Sequence, residues 1–243
     1  MESASIHYPR ARKNIPRAIL RRPLAAPVGP GRCGKASPHR SREKDGHGRN
    51  IWVRGGALKR IFDLALAVVL AVLLALPILI LALLVRLTSP GPALYWSDRV
   101  GRRNAIFRMP KFRSMRVGTP AVATHLLSNP QAHLTPIGAF LRKSSLDELP
   151  QLWSILMGDM SFVGPRPALF NQADLVALRT AQGVDALVPG LTGWAQVNGR
   201  DELPIPDKVA LDAEYLHRRS LGFDLRILWL TAIKVARRDG VSH

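Results

Sequence analysis

The sequence predicts an α+β fold, mainly helical and attached to a membrane. Three observations carry this. From Leu64 to Val85 there are 22 residues of Leu, Ala, Val and Ile interrupted only by Pro77; two short alternating segments lie between residues 93 and 115; and the C-terminal part has apolar residues at helical spacing.

At about 1.5 Å rise per residue the apolar run would be roughly 33 Å long as a straight helix, enough to cross the hydrocarbon core once. Its flanks oppose a crossing. Lys59 and Arg60 precede it, and Arg86, Arg99, Arg102 and Arg103 follow it, so basic residues hold both ends on the cytoplasmic face. Pro77 supplies the means of bending, because it lacks an N–H and clashes with the preceding turn. A kinked spanning anchor fits the composition equally well, since prolines are tolerated in spanning helices. No second apolar run of spanning length follows, so the remaining 158 residues are expected on one side as a single domain.

The formal charge of +18 is unevenly placed. Residues 1–55 hold 13 Lys and Arg against 3 acids and are rich in Pro, Gly and Ser without a hydrophobic period, the composition of a disordered tail. Its charge would attract anionic headgroups and, less specifically, nucleic acid, although no specific nucleic-acid partner is expected. The lone Cys33 excludes an internal disulfide or a cysteine metal site, and the seven histidines include no i, i+4 pair, which argues against zinc.

Past the apolar run, Ser89-Pro90-Gly91-Pro92 reads as a turn, Ala93–Trp96 as a strand, Asp98–Asn104 as a second turn and Ala105–Met115 as a returning strand. Arg108, Lys111, Arg113 and Arg116 would project from it as an electropositive wall. Ile137–Lys143 and Pro150–Leu156 read as short helices, the second burying Leu149, Leu152, Trp153 and Leu156. Pro206–Arg219 reads as a polar surface helix. Phe223–Arg238 sets Leu225, Leu228, Trp229, Ile233 and Ala236 at helical spacing, either packed in the core or lying in the membrane interface.

The most informative polar cluster is Arg142-Lys143-Ser144-Ser145-Leu146-Asp147-Glu148-Leu149-Pro150. Pro150 belongs in a first helical turn and places Asp147 and Glu148 near a helix N-terminus, where capping alone would need one acid. Two adjacent carboxylates beside Arg142 and Lys143 also form a place where a divalent cation and a diphosphate could meet, magnesium taking one or two carboxylates and completing its shell with water and phosphate oxygens. In Gly164-Pro165-Arg166-Pro167 the prolines stiffen the backbone that presents Arg166, which suits phosphate recognition as well as a structural turn. Pro189–Asp201, with three glycines, two amides and Arg200, fits a loop that brings backbone close to a ligand.

Lys59-Arg60-Ile61-Phe62-Asp63, Lys111–Met115, Ser145–Leu152, Gly158–Pro167 and Gly193–Arg200, in this order, resemble the signatures of the bacterial sugar transferases, the monotopic phosphoglycosyl transferases. The resemblance runs from Lys59 to about Val241. It implies a monotopic membrane protein with a re-entrant helix hairpin bent at Pro77, a small β-hairpin and interfacial amphipathic helices. The expected organisation is a basic tail over 1–55, the membrane hairpin over 56–87 and a catalytic domain over 88–243, on the cytoplasmic face of a bacterial inner membrane. The implied reaction moves a sugar phosphate from a UDP-sugar to a polyprenyl phosphate such as undecaprenyl phosphate and releases UMP, which starts exopolysaccharide, O-antigen or glycoprotein glycan assembly. Asp147 would be the nucleophile of a phosphosugar-aspartyl intermediate. Glu148, with Asp147, would hold Mg2+, with Mn2+ as the alternative ion. Arg142, Arg166, Lys111 and Arg200 would contact phosphate. The residues that choose the sugar are expected in 117–134 and 168–188. The chain departs from the family pattern at Leu76, where a polar contribution to the bend is missing, and at Ser97 and Ser154, neither of which touches this chemistry directly. The alternative is a non-catalytic membrane-anchored basic protein or a glycan-assembly scaffold.

Overall fold

Helix formation begins well before the apolar run and is interrupted inside it. A computed structural model describes residues 49–120, 127, 129–199 and 203–237, all within one unit, Asp45–His243. Most of the predicted tail therefore lies outside the described residues. Helix α1, Arg49–Leu73, nevertheless starts inside it, ahead of the boundary at residue 56. Helix α2, Ala75–Thr88, follows after a single residue, and the two axes bend by 63°. The break falls at Leu74, and Pro77 sits in the first turn of α2. This is where Pro77 should act, because its missing N–H and its ring both bear on the carbonyl four residues earlier, that of Leu73. The neighbouring helical bonds survive, from the Leu74 N–H to the Leu70 carbonyl at 2.9 Å and from the Ile78 N–H to the Leu74 carbonyl at 2.8 Å. Among the described residues no single helix is long and apolar enough to cross a membrane.

The first signature, Lys59-Arg60-Ile61-Phe62-Asp63, fastens α1 to the rest. Helix α3 is Gly138–Lys143, α4 Leu152–Met157 and strand β3 Ser161–Val163. Arg60 donates to the carbonyls of Ile155 at 2.6 Å and Leu156 at 2.9 Å, at the C-terminal end of α4, where orphan carbonyls and the helix dipole both favour a cation. Buried Asp63 accepts the Phe162 N–H at 3.3 Å, and Lys59 pairs with Asp224 at 2.6 Å. Gly158, at φ 95°, ends α4 in the left-handed conformation that a glycine adopts without cost.

Strands β1, Leu94–Val100, and β2, Ile106–Phe112, form the expected antiparallel hairpin, with Leu94 opposite Phe112 and Val100 opposite Ile106. The electropositive wall does not form. Strand alternation separates Arg108 from Lys111, and Arg108 stacks over Trp96 with 5.6 Å to the ring centroid. Arg113 is buried and donates to the Ser89 carbonyl and hydroxyl at 2.9 and 2.7 Å and to the Pro90 carbonyl, closing the turn after α2. Arg116 donates to the Leu134 carbonyl at 3.3 Å.

A second, parallel pair joins β3 to β4, Gly190–Thr192, with Ser161 opposite Gly190 and Val163 opposite Thr192. Two glycines of the glycine-rich segment serve this pairing. A Cβ at Gly190 would lie 2.1 Å from the Gly164 nitrogen, and one at Gly193 would lie 2.1 Å from the Gly164 carbonyl oxygen. Only bare backbone fits there.

Helices α5, Ala173–Ala181, α6, Trp194–Asn198, α7, Ile205–Arg218, and α8, Leu221–Arg237, complete the fold, which is mostly helical with two small sheets. Ile155, Met160, Phe162, Tyr215, Phe223 and Ile227 lie at the centre of the core. Helix α7 is not the surface helix expected: Val209, Asp212 and Tyr215 form a buried stripe in which the two polar residues have partners. Asp212 takes Arg179, and the Tyr215 hydroxyl donates to Asp224 at 2.7 Å. In α8 the buried face is Phe223, Asp224 and Ile227, while Leu225 and Trp229 of the predicted stripe are 48% and 68% exposed. Trp153 of α4 is likewise exposed, against expectation.

Candidate active site

The acidic pair stands on a 3-10 turn, Leu146–Gln151, which Ser145 enters at φ 58° and Pro150 stiffens. The turn packs on β2, so that Lys111 near the strand end faces it. From the other side comes the loop after β3, held by the Gly164 N–H to the Thr192 carbonyl at 2.9 Å and the Gly190 N–H to the Pro165 carbonyl at 2.9 Å. Arg166 leaves that loop between its two prolines.

These elements converge on one oxygen. Glu148 Oε1 accepts from Lys111 Nζ at 3.0 Å and from Arg166 Nη2 at 2.7 Å. Burial alone would raise the Glu148 carboxyl, but the charges and hydrogen bonds of Arg166 and Lys111 outweigh it and hold the group well below the usual carboxylate range. Asp147 behaves in the opposite way. It is 9% exposed, and desolvation raises it above its ordinary value with the Glu148 charge adding to the effect, against the opposing pull of Lys111, Arg142 and Arg166. Adjacent acids thus differ in character, one a locked carboxylate and the other a desolvated one that gains by sharing its charge. Arg142, in the last turn of α3, takes part through its charge on Asp147. Arg200 lies outside the described residues.

Glu148 and Arg166 line a cavity of about 380 Å³. Lys143, Ser144 and Ser145 stand on the same wall, whereas Leu70 and Leu74 at the α1–α2 break, Leu149, Leu152, Phe162 and Leu228 make most of the rest apolar. The lining thus combines charged and hydroxyl groups with a larger apolar surface. Gln196, Thr192, Thr231 and Lys234 also line it, and the sequence reading gave none of them a role. Arg179 was missed as well. It donates to Asp212 Oδ2 from Nε at 3.0 Å and Nη2 at 2.6 Å, and from Nη1 to the Arg166 carbonyl at 2.8 Å. Its spacing from both partners carries no local sequence signal.

Among the described residues no group of three or more His, Cys, Asp or Glu could hold a metal ion. The donor set at the acidic pair is all oxygen, which suits magnesium shared between carboxylates and a bound diphosphate. Lys111 and Arg166 already balance Glu148, so a divalent ion gains most there in company with phosphate charge.

The chain is 37% identical over 201 residues to the undecaprenyl-phosphate galactose phosphotransferase of Salmonella typhimurium, covering 75% of this chain and 41% of that protein. It is 38% identical over 185 residues to the UDP-glucose:undecaprenyl-phosphate glucose-1-phosphate transferase of Escherichia coli, covering 73% and 40%. It is 38% identical over 186 residues to the uncharacterized sugar transferase EpsL of Bacillus subtilis, covering 76% and 91%. The chain therefore spans less than half the length of the first two relatives and most of the third. A family model described as bacterial sugar transferase matches residues 54–238, and with that extent of match the chain belongs to the bacterial sugar transferase family.

Proposed function

We propose that this protein transfers a sugar phosphate from a UDP-sugar to undecaprenyl phosphate at a membrane surface, releasing UMP, as the first membrane step of polysaccharide assembly. The observation that carries the reading is a single cavity lined both by Glu148 and Arg166 and by Leu70 and Leu74 of the helix break. A polyprenyl phosphate combines the same two polarities.

In the first step a carboxylate oxygen of Asp147 attacks the sugar-bearing phosphorus of the donor, and the bond to the bridging oxygen breaks with that oxygen leaving on UMP. In the second step a phosphate oxygen of the lipid attacks the phosphorus of the aspartyl phosphosugar, the Asp147–phosphorus bond breaks and the carboxylate is restored. Two displacements replace one between highly charged partners. Arg166 and Lys111 offset the charge of the transferring group, Arg142 steadies the Asp147 carboxylate, and Arg200 is assigned to phosphate by its place in the signature. Asp147 and Glu148 would hold Mg2+ or Mn2+, which supplies further charge neutralisation at the diphosphate.

The membrane reading rests on the helix pair. Val72, Leu73, Leu76, Leu79 and Leu87 are each more than 65% exposed, an apolar surface beyond what a water-facing helix pair carries. The 63° bend and the basic flanks support a re-entrant hairpin with both ends on the cytoplasmic face. Exposed Trp229 and Leu225 with Arg226, Lys234 and Arg237 support an interfacial α8.

The test is UMP release from UDP-glucose and UDP-galactose by the membrane-extracted chain with undecaprenyl phosphate and magnesium. Release that is lost in Asp147→Asn supports the reading, and unchanged release in that variant overturns the nucleophile.

A further inference from the structure

Gln196 is 8% exposed, and neither its Oε1 nor its Nε2 finds a hydrogen-bond partner among the described residues. Most buried amides are satisfied, so an amide orphaned at both ends calls for an explanation. Its position is tightly set. The flanking Ala195 and Val197 are buried, and a Cβ on Gly193 would stand 2.6 Å from Gln196 Oε1, so that glycine leaves the amide its space. Two hydroxyls that line the same cavity are already partnered, Thr192 with Thr231 at 2.7 Å and Thr231 with the Ile227 carbonyl at 2.8 Å. The residue lines the cavity that holds Glu148 and Arg166.

The chemistry of an amide narrows what could answer it. A phosphate oxygen satisfies Nε2 and leaves Oε1 without a donor, and a hydrocarbon chain satisfies neither. A neutral group presenting a donor beside an acceptor satisfies both. The proposed donor substrate has two such groups, the hydroxyls of its sugar and the imide edge of uracil.

We infer that Gln196 is a specificity-determining residue that hydrogen-bonds the uncharged part of the nucleotide sugar. This rests on the transferase reading above. A site built around buried polar groups discriminates strongly, because a substrate lacking the matching group leaves them unpaired. Because the amide bonds no other group among the described residues, an apolar replacement of similar length breaks no hydrogen bond within the protein there.

The experiment compares wild type with Gln196→Met, and with Gln196→Leu as a second shape, by thermal melting and by kinetics with UDP-glucose, UDP-galactose and undecaprenyl phosphate. The expected result is a melting temperature equal to or above wild type, a fall of about 10-fold or more in kcat/KM for the preferred donor, mostly through KM, and an unchanged KM for the lipid. UMP inhibition weakened by the same factor would assign the contact to uracil. Unchanged UMP inhibition with an altered UDP-glucose to UDP-galactose ratio would assign it to the sugar. A donor kcat/KM equal to wild type in both variants would overturn the inference, as would melting lowered in both with donor and lipid kinetics impaired alike. A wild-type chain that turns over no donor would overturn the transferase reading and this inference with it.

Discussion

Arg179 holds Arg166 by its backbone: Nη1 donates to the Arg166 carbonyl at 2.8 Å while Asp212 Oδ2 accepts from both Nε and Nη2 of the same guanidinium. One arginine is thus positioned by another, which is itself anchored by a buried acid on α7. Arg179 and Asp212 touch no proposed substrate position and act through Arg166.

Asp212→Ala should therefore impair the site from a distance. It leaves Arg179 buried without its carboxylate, a loss on the order of 3 kcal/mol in stability. Asp212→Asn keeps a hydrogen-bond acceptor and should be milder in melting, yet it should still raise the donor KM by loosening Arg166. Separate melting and KM measurements check this, and a KM unchanged in Asp212→Asn would confine the pair to a structural role.

The pH dependence of turnover should carry the mark of Asp147. Its carboxyl is raised, so as pH falls the nucleophile is protonated and lost sooner than an ordinary Asp of pKa 3.8. The acid limb of kcat/KM should lie above that value. Lys111 is the strongest of the charges that lower Asp147, so Lys111→Met should move the limb to higher pH. A limb that stays in place would show that another group limits activity in acid.

For Glu148 the sign reverses. Its folded carboxyl lies below the usual range, so its stabilising contribution is present above the unfolded pKa and fades only as pH falls through the lower folded value. Glu148→Gln should cost about 2 kcal/mol at neutral pH, less than a fully buried pair because Arg166 is half-exposed. Denaturant unfolding at pH 7 and at pH 3 checks this, and the deficit should shrink at the lower pH.

Arg60→Met should loosen the apolar helix pair from the rest. Its two bonds to the end of α4 are charge-assisted, and their loss should cost about 2 kcal/mol. Faster limited proteolysis between α1 and α4, with melting lowered, is the expected result.

Much of the site was legible because its chemistry is local. Asp147, Glu148 and Pro150 declare a turn bearing two acids, and the prolines around Arg166 declare a stiff arginine. The β-hairpin announced itself through its alternation and turns. What escaped depends on contacts distant in sequence. The strands β3 and β4 have three residues each, too few for a periodic signal, and the close approach of Gly164 to Gly190 beside them joins positions distant in sequence. Helix α7 read as a surface helix because Asp212 and Tyr215 counted as polar, although Arg179 and Asp224 satisfy them inside. Trp153 counted as core by hydropathy, yet it is exposed, and of the two readings open for α8 the exposed Trp229 does not fit core packing.

The rigid coupling of α1 has a geometric consequence. Lys59, Arg60 and Asp63 tie the middle of the helix to α8, α4 and β3, and Leu70 and Leu74, at and just past its C-terminal end, form part of the cavity wall. Between those points α1 is a ruler that fixes the distance from the helix break to the elements that carry the acidic pair. One residue inserted after Asp63 would push the far end along by about 1.5 Å and turn it by roughly 100°. The leucines would then swing off the cavity while Glu148, Arg166 and Lys111 stayed in place, leaving the charged cluster intact beside a wall that had lost its apolar part.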